Sequence, residues 1–391
     1  MALKPVVLQL LSSVLLGGQE NLLLSLLEES TLSGEAEWIV VVMNTDIDPI
    51  QYDRLMKLGI PVYFLNRKQG HLHPKYFLTL LNIIRNHKVR IIHTHDFGAK
   101  YWAAACKLLI WHLKLVFTVH HTLPIRKHAQ LNRFVSRHLL DVNVAVSDSV
   151  EEILEEEKIQ NSEVIPNGIN LKKFDQAPKA VFSSPLKMIN VARIVPDIKG
   201  QDILIEALYL CKQANIPFQC TFVGEILPCH QEDLKRLEEK VKDYGLSHCV
   251  DFLGPCPDVP ELLKNQDLFI FPSRKEAFGL AIIEAMASGI PVIASSTEGP
   301  AEILSPNQAG LLFETGNAVD LFHKIQFAYA NQPEMKEMAE RAYQEAKKYS
   351  IQKTLEYHSR LYQRLNTDRF LTLVLHMKST VKTSLNLQAN Q

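Results

Sequence analysis

Short runs of apolar and β-branched residues alternate along the chain with longer segments in which apolar positions recur every three or four residues. The short runs are Val6–Leu11, Trp38–Met43, Val62–Leu65, Arg90–Thr94, Leu115–His120 and Val142–Val146. Helical patterns at Glu20–Glu29, His73–Asn86, Ala99–Ile110 and Ala129–Leu140 separate most of them. A strand buried on both faces is apolar almost throughout, whereas a helix covering a sheet is apolar along one stripe. The alternation therefore predicts a parallel sheet with helices on both faces. A second series follows at Met188–Ala192, Gln219–Val223, Val250–Leu253, Asp267–Phe271, Pro291–Ala294 and Gly310–Phe313. Between the two series, Leu171–Pro185 (LKKFDQAPKAVFSSP) mixes charge, Pro and Ser without a period and reads as a seam. The pattern predicts two doubly wound α/β domains, residues 1–175 and 186–350, with a cleft between them. From Ala318 the pattern is helical only, through Leu321–Ala330, Glu334–Tyr349 and Gln352–Leu365. The end, residues 367–391, passes from apolar Phe370–Met377 to polar Lys378–Gln391 and reads as a frayed tail, with a short interfacial or oligomer contact as the alternative.

Composition narrows the class. At 391 residues the chain exceeds one ordinary core, in line with two domains. A formal net charge of -1 excludes a nucleic-acid binder held by bulk charge. The six cysteines have no C-x-x-C spacing, so they read as reduced thiols of a cytosolic protein. Lys4 precedes an apolar run, Pro5–Leu16, but Gly17-Gly18-Gln19-Glu20 and an amphipathic helix follow at once. The run is read as a first strand rather than a signal peptide. No apolar run approaches the ~20 residues of a membrane span.

Candidate chemistry gathers where strands end. After the buried run Asp267–Ser273 comes Arg274–Leu304, RKEAFGLAIIEAMASGIPVIASSTEGPAEIL. Its loop holds Glu276 and Phe278-Gly279-Leu280, and the helix that follows holds Glu284. In an open α/β sheet, ligands bind beyond the carboxyl ends of strands, and a Gly at a helix start lets an anion reach backbone N–H groups. Glu284, about one and a half turns further in, can reach the same ligand. Gly17-Gly18 sits in the first βα turn and could present N–H groups to a phosphate, although the motif alone fits a plain turn equally well. Arg193 leaves the second domain's first strand, Lys199 precedes the next helix and Gly200 relieves the turn, so two cations converge on a helix N-terminus, a diphosphate site.

Other polar clusters read more plainly. His93 and His95 of His93-Thr94-His95-Asp96 share a strand face without an evident third ligand, so no metal site is assigned. His120 ends the fifth strand and, taken alone, reads as a packed histidine. Asp46-Ile47-Asp48 is followed by Pro49 in a polar loop and reads as solvated. Ile165-Pro-Asn-Gly-Ile169 reads as structural. Gly98–Leu140 holds Lys100, Lys107, Lys114, Arg126, Lys127, Arg133 and Arg137, interleaved with Trp102 and Trp111 and without an acidic residue. That asymmetry suits an acceptor or membrane-surface face as well as ordinary helix surfaces.

The Glu276-to-Glu284 segment resembles the E-x7-E region of the GT-B glycosyltransferases of family 4, retaining enzymes that use nucleotide sugars, and the resemblance runs from Val6 to about Leu365. It implies two Rossmann-like domains, a donor on the second and an acceptor on the first. It also implies a last helix, residues 351–366, crossing back onto the first domain. By resemblance, Glu284 binds the ribose hydroxyls and Glu276 lies near the sugar. Phe278, Gly279 and Leu280 offer N–H groups, and Gly17 and Gly18 lie beside the donor's phosphates and sugar. His120 contacts the sugar near the reacting carbon, and Arg193 and Lys199 neutralise the leaving diphosphate. The PDIKG loop of Lys199 is one residue longer than the PEKG of many members.

The expected activity is a metal-independent hexosyl transfer from a nucleoside-diphosphate sugar to a carbohydrate or lipid-linked acceptor. The expected setting is cell-surface polysaccharide or lipopolysaccharide synthesis in the cytoplasm, with peripheral membrane contact through Gly98–Leu140 and no separate cofactor. A GT-B sugar-nucleotide epimerase and a non-catalytic GT-B scaffold are the alternatives. Arg193, Lys199, Glu276 and Glu284 together disfavour the scaffold, and product analysis separates the epimerase.

Overall fold

The computed structural model describes residues 4–120, 129–174 and 182–367. Strands β1 (Val6–Leu11), β2 (Glu37–Asn44), β3 (Val62–Arg67), β4 (Ile91–Thr94), β5 (Lys114–Val119), β6 (Val142–Ala145) and β7 (Ser162–Val164) form one sheet in the order β3-β2-β1-β4-β5-β6-β7. Strands β8 (Leu186–Val191), β9 (Phe218–Val223), β10 (Val250–Gly254), β11 (Leu268–Phe271), β12 (Val292–Ser295) and β13 (Leu311–Phe313) form a second sheet, β10-β9-β8-β11-β12-β13. Every pairing is parallel, for example Val7 opposite Ile91 and Leu268 opposite Met188. Both sheets are doubly wound α/β, and the strand order reverses between β1 and β4 and between β8 and β11. Those two switch points are where a ligand crevice opens.

Most strands form where the sequence is predominantly apolar, because helices cover both faces. All four residues of β11 and of β12 are buried. Edge strand β7 departs furthest, being three residues long, half-buried and polar at Ser162 and Glu163. As an edge strand it needs backbone pairing to β6 more than side-chain burial, so no apolar run announces it.

The last helix, residues 351–367, returns to the first domain. Ile351, Leu355, Leu361, Tyr362 and Leu365 pack with Val7, Leu22, Trp38 and Val40 in one buried cluster. Tyr362 meets Trp38 edge to face at 5.7 Å. Each buried aliphatic side chain of this kind contributes about 1.5–3 kcal/mol, so the helix is an integral part of the first domain's core. Its entry is stitched on: Ile169 N–H donates to the Tyr349 carbonyl at 2.9 Å, and Ile351 N–H to the Ile169 carbonyl at 2.8 Å. Gly168 allows this approach, since a Cβ there would lie 2.5 Å from the Ser350 carbonyl oxygen.

Two contacts join the domains beside the cleft. Ser147 Oγ donates to the Ala277 carbonyl at 2.9 Å. Glu302, on the helix Glu298–Leu304, accepts from the N–H groups of Asp148 and Ser149 at 3.2 and 3.3 Å. A carboxylate from the second domain thereby caps the helix Asp148–Glu156 of the first, where the helix dipole favours negative charge.

Candidate active site between the two domains

The first wall of the cleft is built at the β1/β4 switch point. Asp96 leaves β4 and accepts from Ser12 N–H at 2.8 Å and Ser12 Oγ at 2.5 Å. It also caps the helix Phe97–Leu109 through Ala99 N–H at 2.9 Å. This fixes the loop that runs on to Gly17, the residue before the helix Gly18–Ser33. Gly17 has an extended backbone, so its small size matters through proximity. A Cβ there would lie 2.5 Å from Glu20 Oε2 and 3.1 Å from Arg193 Nη2 of the other domain. Gly18 has more room, since its Cβ would meet only Leu280 Cδ1, at 3.6 Å. Burial pushes the Glu20 carboxyl above its ordinary value, and Arg193 pulls it back down. Glu20, the carboxylate of the GG-x-E turn, thus belongs to this cluster.

The second wall lies at the β8/β11 switch point. Gln201 Nε2 donates to the Arg193 carbonyl at 2.9 Å, and the Arg193 side chain is 40% exposed, with Nε 3.8 Å from Glu225 Oε2. Lys199 ends a single helical turn, Pro196–Lys199. Gly200 follows at φ 69°, and a Cβ there would lie 2.0 Å from the Pro272 carbonyl oxygen, so only glycine fits. Arg274 braces the turn. It forms a fork to Asp202 at 2.6 and 2.7 Å, donates to the Pro196 carbonyl at 2.7 Å and gives its N–H to the Ile198 carbonyl at 2.8 Å. The longer PDIKG loop therefore still delivers Lys199, whose Nζ stands 2.5 Å from Glu276 Oε2.

The E-x7-E segment supplies the floor. Phe278 is buried edge to face against Tyr349, so its side chain plugs the core, and its backbone lies against Gly299. Gly279 adopts φ 109°, a glycine conformation, and starts the helix Leu280–Ala287 without a side-chain cap. The first-turn N–H groups of that helix are an anion-binding end. Gly299 lets the next helix lie against this loop, since a Cβ there would come within 2.6 Å of the Phe278 backbone. Glu284 is half-buried, and among the described residues its carboxylate has no hydrogen-bond or ion-pair partner. Burial alone pushes its carboxyl up to about 7.

His120 stands at the carboxyl end of β5, on the same edge of the sheet as the Gly17 turn. His120 Nε2 lies 3.2 Å from His95 Nδ1, and His95 Nε2 lies 2.9 Å from Gln9 Oε1. The rings of His93 and His95 stack at 4.3 Å, and those of His95 and His120 at 5.5 Å. His93 bonds Tyr362 Oη at 2.6 Å and Thr118 Oγ1 at 2.7 Å. Burial holds His93 well below its ordinary pKa and pushes His95 down to about 3 and His358 down to about 4. The histidines His93, His95 and His358 therefore form a buried core cluster behind His120.

The remaining expectations sort as follows. Asp48 accepts from Ile50 and Gln51 N–H at 2.9 and 3.1 Å and so caps the helix Pro49–Lys57, while Asp46 is exposed. The basic stretch Gly98–Leu140 is less exposed in charge than its composition suggests. Lys100 is buried over Phe117, bonded to Asn132 and Ser136, with its pKa pushed down to about 7 by burial. Lys107 and Lys114 share Asp141, Arg133 pairs with Glu157, and Arg137 donates to the Glu157 carbonyl. Arg126 and Lys127 lie outside the described residues.

The family described as Glycosyl transferases group 1 matches residues 172–348, and Glycosyltransferase Family 4 matches residues 16–173. The chain is 28% identical over 294 residues to an uncharacterized glycosyltransferase of Methanocaldococcus jannaschii, covering 73% of this chain and 78% of that one. It is 28% identical over 205 residues to the lipopolysaccharide core biosynthesis mannosyltransferase LpsB of Rhizobium meliloti, covering 51% of this chain and 56% of that one. Among solved structures, Anabaena Alr3699/HepE in complex with UDP and glucose superposes with a TM-score of 0.80 at 21% identity. That match covers 92% of this chain and all of the other, a likeness of fold.

Proposed function

The chain belongs to the GT-B glycosyltransferases of family 4, and from that premise we propose that it is a retaining enzyme moving a hexose from a nucleoside-diphosphate sugar to a carbohydrate or lipid-linked acceptor. The proposed setting is cell-surface polysaccharide or lipopolysaccharide synthesis, on the cytoplasmic side of the membrane. The observation that carries the reading is the convergence of Arg193, Lys199 and the uncapped helix end at Gly279 on one switch point, facing Gly17 of the other domain. Two cations and a helix N-terminus answer the charge of a diphosphate that grows as the glycosidic bond breaks. Glu284, with no partner for its carboxylate among the described residues, suits the two hydroxyls of a ribose, which donate to one carboxylate. His120 and the Gly17-Gly18 turn would close on the sugar from the acceptor side.

In this scheme the role a divalent cation plays elsewhere falls to Arg193 and Lys199, and no separate cofactor is required. The test is product analysis. The transferred sugar keeps the anomeric configuration it had in the donor, read by proton NMR during turnover. Release of an epimerised sugar nucleotide would favour the epimerase instead.

A peripheral membrane contact is part of the proposal, and its location within the first domain is sharper than the stretch 98–140. Trp111, Leu108 and Leu109 are 78%, 70% and 60% exposed. Beside them lie Arg85, Lys88 and Arg90, all exposed and without an ion-pair partner among the described residues. An exposed indole and two leucines next to three uncompensated cations suit an anionic lipid interface, each cation contributing about 1 kcal/mol. No described helix is long and apolar enough to cross a membrane.

A further inference from the structure

The chain leaving β6 meets the second domain at Ser147, where one hydroxyl serves both domains. Ser147 Oγ accepts from Val150 N–H at 3.2 Å and so caps the helix Asp148–Glu156. It also stands 2.9 Å from the Ala277 carbonyl oxygen of the second domain. A hydroxyl has one hydrogen and two lone pairs, whereas a carbonyl can only accept. The Ser147 hydrogen therefore goes to Ala277. Val150 N–H uses one lone pair, and Ser149 Oγ, 3.0 Å away, donates to the other. Ser147 is fully buried, so water does not compete for these bonds.

Ala277 lies between Glu276 and Phe278, and each of the three residues is held from a different side. The Glu276 carbonyl accepts from Gly299 N–H at 3.3 Å, within the second domain. The Ala277 carbonyl is held by the first domain, and the Phe278 ring packs on Tyr349. Gly299 and Glu302 are i, i+3 neighbours on the helix Glu298–Leu304. Gly299 lies against the backbone of Ala277 and Phe278, while Glu302 accepts from the N–H groups of Asp148 and Ser149. Residues 147–149 thus grip the loop directly and, through Glu302, the helix on which the loop rests. From this clamp the Glu276 side chain reaches Lys199 Nζ at 2.5 Å.

We propose that Ser147 is a positioning residue for Glu276, and that its clamp on Ala277, seconded by Glu302, ties the placement of that carboxylate to the docking of the two domains. Glu276 is then set by the first domain as well as by its own, and it is in place only while Ser147 and Ala277 meet. When the Ala277 carbonyl loses its partner, the carboxylate one residue away shifts with it. Misplacing a catalytic group by about 1 Å costs on the order of 10²-fold in rate. The kinetic part of the proposal rests on the reading of Glu276 as the sugar-side carboxylate.

Glycine is a tolerated N-cap and alanine a poor one. Ser147→Gly therefore deletes the bond to Ala277 and largely keeps the helix cap, whereas Ser147→Ala deletes both. Hydrogen exchange on the full chain tests the clamp without turnover. Ser147→Gly should speed exchange in residues 275–279 and leave residues 150–156 as in the wild type, and Glu302→Ala should speed it at Asp148 and Ser149. Residues 275–279 indifferent to Ser147→Gly would overturn the clamp. Turnover is read as diphosphate release from the donor that a panel of UDP- and GDP-sugars selects. Ser147→Gly and Ser147→Ala should lower kcat alike, on the order of 10- to 100-fold with little change in donor KM, although only Ser147→Ala lowers Tm clearly. In a Glu276→Gln background the effect of Ser147→Gly should shrink to about threefold or less, since both changes act through one carboxylate. A kcat that follows Tm rather than the hydroxyl, or an undiminished loss from Ser147→Gly in Glu276→Gln, would overturn the positioning role. Wild-type kcat in Glu276→Gln would count instead against the donor-site reading, and the exchange comparison then decides the clamp by itself.

Discussion

Lys199 Nζ and Glu276 Oε2 stand 2.5 Å apart, one on the loop after β8 and the other on the loop after β11. The pair closes the β8/β11 switch point with opposite charges, both mostly shielded from solvent. On the proposed reading, a diphosphate arriving there would compete with Glu276 for the lysine and release the carboxylate toward the sugar, where positive charge would develop in the transition state.

Lys199→Ala and Arg193→Ala should each lose a charge-assisted contact to the leaving group. The expected cost is about 2–3 kcal/mol in the transition state, on the order of 10²-fold in rate, with the fold intact by circular dichroism. Turnover like that of the wild type in either variant would remove the diphosphate from this site.

The two carboxylates should separate kinetically. Glu276→Gln removes charge near the reacting carbon and should mainly lower kcat. Glu284→Gln keeps one acceptor oxygen for a diol bound equally in ground and transition states and should mainly raise donor KM. Steady-state kinetics on both variants checks the division, and the opposite pattern would reverse the roles.

Glu284 also makes stability depend on pH. Its carboxyl is raised by burial from 4.5 to about 7, so the folded protein holds this proton more tightly than the unfolded chain. The stability it contributes is full below the unfolded value and is lost as pH rises through about 7, a loss on the order of 1–3 kcal/mol. Without nucleotide, Tm should therefore fall more steeply between about pH 5 and pH 8 in the wild type than in Glu284→Gln. Parallel Tm curves would mean that Glu284 is better solvated than the structure indicates.

The exposed patch has its own reporter. Trp38 is buried and Trp102 lies under Arg67, so Trp111 alone of the three tryptophans faces solvent. Anionic vesicles should shift tryptophan emission to the blue at low salt and lose the effect at high salt or in Arg85→Gln/Lys88→Gln/Arg90→Gln. An unchanged spectrum at low salt would dispose of the lipid contact.

Much of the architecture is legible in the sequence because strands buried on both faces are predominantly apolar. β7 is not, since Ser162-Glu163-Val164 on an edge carries no such signal. Glu276, Gly279 and Glu284 are legible because they lie within one strand–turn–helix segment. The partners of Glu20 and His95 are not: Arg193, His120 and Gln9 are brought to them by strand order and domain contact rather than by spacing. The basic stretch misleads for a similar reason. Its window stops at Leu140, and the carboxylate that pairs with Lys107 and Lys114 is Asp141. Nor does composition reveal that Lys100 faces inward.

Calorimetric titration of the full chain with a panel of nucleoside diphosphates tests the central claim most directly, because it needs neither the sugar nor the acceptor. The account predicts that at least one base binds and that Lys199→Ala weakens it by about tenfold or more, the loss of one charge-assisted contact. Binding of none of the panel, or equal affinity for wild type and Lys199→Ala, would contradict it.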